Sequence, residues 1–186
     1  NQRALSSFGP HNSLNAPWTI TTLATETLLG YRATVATIRR VTADAREIEN
    51  LIYAYAERID AGDLHGLGEL FDGARLVAAP GVVLEGADAV RRLYERSTRI
   101  HADGTPRTRH MTTNVTIEVR PDRAGAEARS AYTVFQQTDA LPLQPIISGR
   151  YHDTFVLDGD RWRFGTREIF VDLTGNLGEH LLFELF

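Results

Sequence analysis

Between Asp44 and Asp63 apolar and polar positions recur with the period of a helix. Ile48, Leu51, Ile52, Tyr55 and Ile59 fall at i, i+3, i+4, i+7 and i+11, one face of an amphipathic segment. Asp44 followed by Glu47 has the form of a capping box, and Gly62 stands where a C-terminal glycine cap belongs. Asp63 can then cap a short second helix, in which Leu64, Leu67, Leu70 and Phe71 keep helical spacing. Ala74 to Ala79 and Val82 to Leu84 flank Pro80-Gly81 and predict a hairpin. Gly86 to Ser97 returns to the helical period, with Val90, Leu93 and Tyr94 inward and Arg91, Arg92, Glu95 and Arg96 in water. Four β-rich runs follow: Met111 to Val119, Ala126 to Gln137, Ile146 to Leu157 and Arg161 to Leu173. Helices gathered first and long strands gathered after predict an α+β fold, a curved sheet closed on one side by helices. A sheet so curved makes a cone, and a cone has a mouth.

Residues 1–40 differ in kind, rich in Ser, Thr, Asn and Ala, with Pro10 and Pro17 and no clear period before Thr19. They are expected to form an N-terminal extension or arm that contacts a neighbouring subunit, leaving residues 41–186 as one domain. The apolar tail LGEHLLFELF is expected to cover the mouth of the cone or a subunit interface.

Composition narrows the functional classes. A net charge of −4 argues against a nucleic-acid surface. The absence of cysteine removes disulfides, thiolate nucleophiles and cysteine-ligated metals. All 20 basic residues are arginine, so a lysine Schiff base and a Walker lysine are excluded too. No apolar run approaches the length of a bilayer span and no signal peptide is visible, so no membrane partner and a cytoplasmic location are expected. His11, His65, His101 and His180 show no partner at ligand spacing, and His152 and Asp153 point to opposite strand faces, so no metal site is expected.

Two residues suggest chemistry. Asp60 ends the first amphipathic helix, where the macrodipole disfavours a negative charge by roughly 0.3–1 kcal/mol. It can simply begin the turn through Ala61-Gly62-Asp63. His110 opens a strand and, taken alone, is an ordinary strand-end histidine. If the sheet folds over the helix end, however, Asp60 can orient His110 as a base near neutral pH, with Tyr55 close by. Asn114 would share a strand face with His110 and Thr112, unless a bulge changes the parity.

The ordered set Y-x4-D, A-G-D-L-x-x-L-x-x-L-F, G-A-D-A-V-R-x-L-Y, R-x-R-H-M-x-x-N-V-x-I-E-V, A-R-S-A-Y and G-R-Y-x-D-x-F-x-x-D-G-D-R-W-R-F resembles the SnoaL-like branch of the nuclear transport factor 2-like superfamily over roughly residues 42 to 175. The resemblance implies a cone-shaped α+β barrel with an apolar pocket, commonly a homodimer or homotrimer. Members similar to scytalone dehydratase, bile-acid 7α-dehydratase and hexachlorocyclohexane dehydrochlorinase carry out cofactor-free eliminations with a helix-end aspartate and a strand histidine, and Asp60 and His110 fall on those positions. Tyr55 falls where the bile-acid enzyme has a tyrosine. Scytalone dehydratase has a second histidine on the following strand, where this chain offers Tyr132. Arg150 and Arg167 are both candidates for a substrate-facing arginine, and strand parity does not choose between them.

The expected activity is therefore a lyase of dehydratase type, or an isomerase, acting without cofactor on a hydrophobic polycyclic or polyketide-like molecule. Asp60, His110 and Tyr55 would be catalytic, and Tyr132, Asn114, Arg150 and Arg167 would bind substrate. Two alternatives are a polyketide cyclase using the same residues and a non-catalytic binding or assembly module, such as a dioxygenase small-subunit-like protein.

Overall fold

The structure, a computed structural model, describes the backbone of residues 20–182 and the side chains from Leu28 onward. Two compact units are distinguished, Asn1–Arg39 and Arg40–Phe186. In the first, the described residues are helical and expose Leu28, Leu29, Tyr31 and Ile38. Of the extension or arm expected over residues 1–40, residues 1–19 lie outside the described residues.

Helix α1 spans Ile20–Asp60, which corrects the start expected at Asp44. The capping-box residues lie inside the helix and serve tertiary contacts. Asp44 is buried and accepts hydrogen bonds from Arg123 Nε and Nη2 at 2.8 and 2.7 Å and from Trp162 Nε1 at 3.0 Å. Glu47 accepts from the Trp162 backbone N–H at 3.0 Å. The Arg123 hydrogen bonds hold the Asp44 carboxyl below the usual carboxylate range despite its burial. The other end of α1 follows the sequence. The Gly62 N–H donates to Ile59 O and the Asp63 N–H to Arg58 O, with Gly62 at φ 73°, which together make a Schellman cap. The predicted apolar face is buried, with Ile48 and Ile52 fully enclosed. Burying a side chain of that size stabilises the fold by about 1.5–3 kcal/mol.

Asp63 caps α2 (Leu64–Glu69) by accepting from the Gly66 N–H at 2.8 Å. The hairpin β1 (Arg75–Ala79) and β2 (Val82–Glu85) turns at Pro80-Gly81, and α3 (Ala87–Ser97) follows with Val90 and Tyr94 buried. The long strands are β3 (Thr108–Val119), β4 (Gly125–Gln136), β5 (Gln144–Asp158) and β6 (Arg161–Thr174). The sheet order is β2-β1-β6-β5-β4-β3; every neighbouring pair is antiparallel except β1 with β6, which is parallel. The second unit is thus a mixed α+β fold in which helices close a curved, six-stranded sheet.

Register breaks supply the curvature. They fall between Val77 and Ala79, Thr113 and Thr116, Val134 and Phe135, Ser148 and Gly149, and Thr154 and Phe155. Each break also exchanges strand faces locally. His110 and Thr112 turn inward on β3, Thr113 and Asn114 are both exposed, and Val115, Ile117 and Val119 resume the inward face. Asn114 takes φ 53° to make this possible. No helix among the described residues is long and apolar enough to cross a membrane.

Candidate active site

The Schellman cap fixes Asp60 at the last turn of α1, directly against the first residues of β3. Its carboxylate is saturated from that strand. Thr108 Oγ1 donates to Oδ1 at 2.7 Å, the His110 backbone N–H to Oδ2 at 2.7 Å, and the His110 ring nitrogen Nδ1 bonds Oδ1 at 2.6 Å. Three donors offset the unfavourable dipole end. Burial pushes the Asp60 carboxyl upward, but the hydrogen bonds and charge of His110 and the Thr108 hydroxyl outweigh it, and the net shift is downward. Asp60 is therefore an ionised acceptor at neutral pH. An acceptor at Nδ1 places the proton of a neutral imidazole on that nitrogen, so the Nε2 lone pair is left to act as a base. No hydrogen bond reaches Nε2 among the described residues.

Inside the sheet lies an apolar cavity of about 370 Å³, a volume within the range of small-molecule sites. Its walls come from the hairpin (Ala78, Ala79, Val82), from α3 (Leu93, Tyr94, Ser97) and from β4, β5 and β6 (Tyr132, Ile147, Tyr151, Ile169, Val171). Tyr55 closes it from α1, and Leu177, His180 and Leu181 close it from the tail. The polar groups on this wall are chiefly phenols. Tyr55 and Tyr94 share a short hydroxyl–hydroxyl hydrogen bond, Tyr132 stacks on Tyr151 with ring centroids 4.3 Å apart, and the Tyr132 hydroxyl donates to Phe170 O at 3.3 Å. Burial raises the phenol pKa of Tyr55, Tyr94, Tyr132 and Tyr151 above the ordinary value, so all four are neutral donors at neutral pH.

The structure brings Asp60 and His110 together and puts Tyr55 and Tyr132 on the cavity wall. Two other expectations are corrected. Asn114 is exposed on the outer sheet face beside Arg129 and Arg150, because the bulge reverses the parity it would have shared with His110. Neither arginine lines the cavity. Arg150 sits between inward-facing Gly149 and Tyr151, points outward and forms a two-pronged pair with Asp172 at 2.8 and 2.9 Å.

Arg167 turns inward, because the shift around Gly165 moves it onto the face of Trp162 and Phe164, yet it lies behind the tyrosines. Its guanidinium carbon is 4.3 Å from the Tyr55 ring centroid and 4.2 Å from that of Tyr151, and Asp153 holds it through two hydrogen bonds at 2.8 and 2.7 Å. A further groove of about 460 Å³ runs along polar strand residues, among them Glu118, Glu127, His152 and Glu168, and contains neither Asp60 nor His110.

Sequence reasoning missed His180, which is buried and on the cavity wall. Burial, with His110 beside it, depresses its imidazole to about 4. A histidine in the middle of the apolar run LGEHLLFELF was the available signal; its partners come from elements far away in the chain, so spacing could not disclose them.

A curved mixed sheet closed by helices, holding an apolar cavity, is the architecture of the nuclear transport factor 2-like superfamily. The chain belongs to the SnoaL-like domain family, whose profile matches residues 40–168. Among solved structures it is similar to an NTF2-like protein with a cystatin-like fold from Novosphingobium aromaticivorans, with 24% identity and TM-score 0.63 over 74% of this chain and 87% of that one. It is also similar to a scytalone dehydratase candidate from the same organism, with 25% identity and TM-score 0.59 over 72% of this chain and 87% of the other. The β subunit of an aromatic-ring-hydroxylating dioxygenase candidate from that organism shares the fold at 20% identity and TM-score 0.55, over 73% and 93% of the two chains. Among curated protein sequences no match is found.

Proposed function

We propose that the protein is a cofactor-independent lyase of dehydratase type, or an isomerase, acting on a small hydrophobic polycyclic or polyketide-like molecule. The observation that carries this reading is the 2.6 Å contact between Asp60 and His110 Nδ1, two nearly buried side chains, which leaves the opposite ring nitrogen without a hydrogen-bond partner among the described residues. In an elimination, His110 Nε2 takes the proton beside a carbonyl, the C–H electrons form the new double bond, and the hydroxyl on the next carbon leaves as water with a proton from the imidazolium. Tyr55, turning from Tyr94, or Tyr132, giving up its hydrogen bond to Phe170 O, would donate to the oxygen on which negative charge develops. General-base help of this kind is worth about 10²–10⁴-fold, enough for an activated carbon acid. The likeness to the scytalone dehydratase candidate supports a dehydration.

A second reading, a binding or assembly module, is favoured by one observation. The cavity wall includes His180 but neither Asp60 nor His110, so the pair stands behind the surface a guest would touch. Turnover of the β-hydroxy derivative of α-tetralone, whose dehydration gives fluorescent α-naphthol, separates the two. Production of α-naphthol by the wild type and its loss in His110→Ala and Asp60→Asn supports the lyase. Binding of this probe without turnover supports the module. A cyclase using the same residues would instead show turnover only with a linear polyketide-like substrate.

A further inference from the structure

After β6, residues 177–182 run along the cavity and are tied down by hydrogen bonds. The Arg99 N–H donates to His180 O at 2.8 Å, the Leu182 N–H to Ser97 O at 2.9 Å, and Gln136 Nε2 to Glu179 O at 3.0 Å. The His180 N–H donates to Leu177 O at 2.9 Å, and Leu181 bridges Thr98. A backbone held on both sides of one residue gives that residue's ring a fixed place. The ring itself is treated differently. His180 lines the cavity, and its Nδ1 is sealed from solvent with no hydrogen-bond partner among the described residues.

An orphaned nitrogen on a positioned ring has a consequence for the tautomer. A buried N–H left without an acceptor is rarer in folded proteins than an under-used acceptor. The proton of the neutral ring therefore belongs on Nε2, and the sealed Nδ1 keeps its lone pair without a donor. The groups that bear on its charge are His110 and His101, which oppose protonation, and Asp60, which favours it; burial adds to the former. Asp60 is already engaged by three donors from β3.

We infer that His180 is a second imidazole of the site, a neutral Nε2–H donor on the tail that binds a substrate oxygen at the cavity wall while the Asp60–His110 pair handles the proton. This assignment rests on the reading of the cavity as a substrate site. It explains why a polar ring occupies an apolar strap, and it divides the labour between two histidines about seventy positions apart, one held by a carboxylate and one held by backbone. A neutral imidazole of this kind polarises a carbonyl without delivering a full charge. The ligand class it selects is a neutral, fused-ring molecule carrying a carbonyl or phenolic oxygen, because the phenols that share the cavity wall with it are neutral.

The test uses α-tetralone as the probe and the full chain, with affinity read from tryptophan or tyrosine emission and the carbonyl stretch read by infrared difference spectroscopy. The wild type is expected to bind it with a lowered stretch frequency. His180→Phe, which keeps a flat ring and removes the donor, is expected to lose about tenfold in affinity and most of the frequency shift. His180→Gln, which keeps an N–H near the Nε2 position, is expected to recover both within about threefold. Imidazole nitrogen spectra of the unaltered protein are expected to show one neutral Nε2–H ring between pH 5 and 8 that responds to the probe.

Equal binding and an equal carbonyl shift in wild type and His180→Phe would overturn the assignment, as would an imidazole that stays silent on addition of α-tetralone. Failure of the wild type to bind α-tetralone would overturn it as well. Because binding is read without turnover, these results are separate from those that decide whether His110 is the base.

Discussion

Asp153 and Asp60 are both buried in the second unit against partners that carry or can carry positive charge, and the two sites are built in opposite ways. Asp153 meets Arg167, a permanent cation, through a two-pronged contact, and both side chains are essentially without exposure. Aromatic rings of Tyr55, Tyr151 and Phe164 pack around the guanidinium. Asp60 meets His110, which carries charge only when protonated, and its remaining capacity is filled by Thr108 and by backbone. Arg167 has no proton to exchange at any physiological pH. The second pair leaves one nitrogen able to take a proton. Burial of opposite charges is thus compatible with a strut or with a reactive group, and the titratable partner makes the difference.

The largest expected effect of breaking this contrast is on stability at the strut. Asp153→Ala leaves a fully buried guanidinium unpaired, and the expected loss is about 3–5 kcal/mol in chemical denaturation. Replacing both partners together, Asp153→Leu with Arg167→Met, should cost clearly less, because no lone charge remains. Equal losses in the single and double variants would contradict the assignment of the pair as a mutual charge partner. His110→Ala and Asp60→Asn are expected to behave in the reverse sense, removing turnover by about 10²-fold or more while moving the thermal midpoint by only a few degrees. A large midpoint drop in both would make that pair a strut too.

Much of the fold was legible in the chain, and the failures have physical causes. Periodicity placed the face of α1, the hairpin and the long strands, because each of those segments buries one side and wets the other. The start of α1 was misplaced because Asp44 and Glu47 have the form of a cap but serve Arg123 and Trp162, partners supplied by distant parts of the chain. The contact between Asp60 and His110 could be anticipated because both sit at ends of elements, where local pattern is strong. Asn114 faces outward, and parity could not choose between Arg150 and Arg167, because a single extra residue in a strand swaps its faces, and alternation cannot announce where that happens. His180 escaped because everything that gives it meaning is tertiary.

The pH response offers a subtler measure. His180 is depressed from 6.5 to about 4 in the folded chain, so between those values the unfolded chain binds more protons. Stability contributed by this group is full above pH 6.5, falls as pH drops toward 4 and is gone below that, a swing of at most roughly 3 kcal/mol. Denaturation midpoints across that window should flatten in His180→Gln. Asp44 and Asp60, both lowered, add a second loss as pH falls past their ordinary value of 3.8, where the unfolded chain takes up protons that the folded one does not yet bind. The smallest effect is expected at Arg150. Its pair with Asp172 is exposed on the outer sheet face, and Arg150→Ala should change the unfolding free energy by no more than about 1 kcal/mol.

The inserted turn at Asn114 has a consequence for how this sheet tolerates change in length. Two residues of β3 in succession look outward there, so the downstream half of the strand is in phase with the interior only because of that insertion. Deleting one position would work like a frameshift. Val115, Ile117 and Val119 would greet water, and Thr116 and Glu118 would be pressed against the helices, although no side chain had been altered.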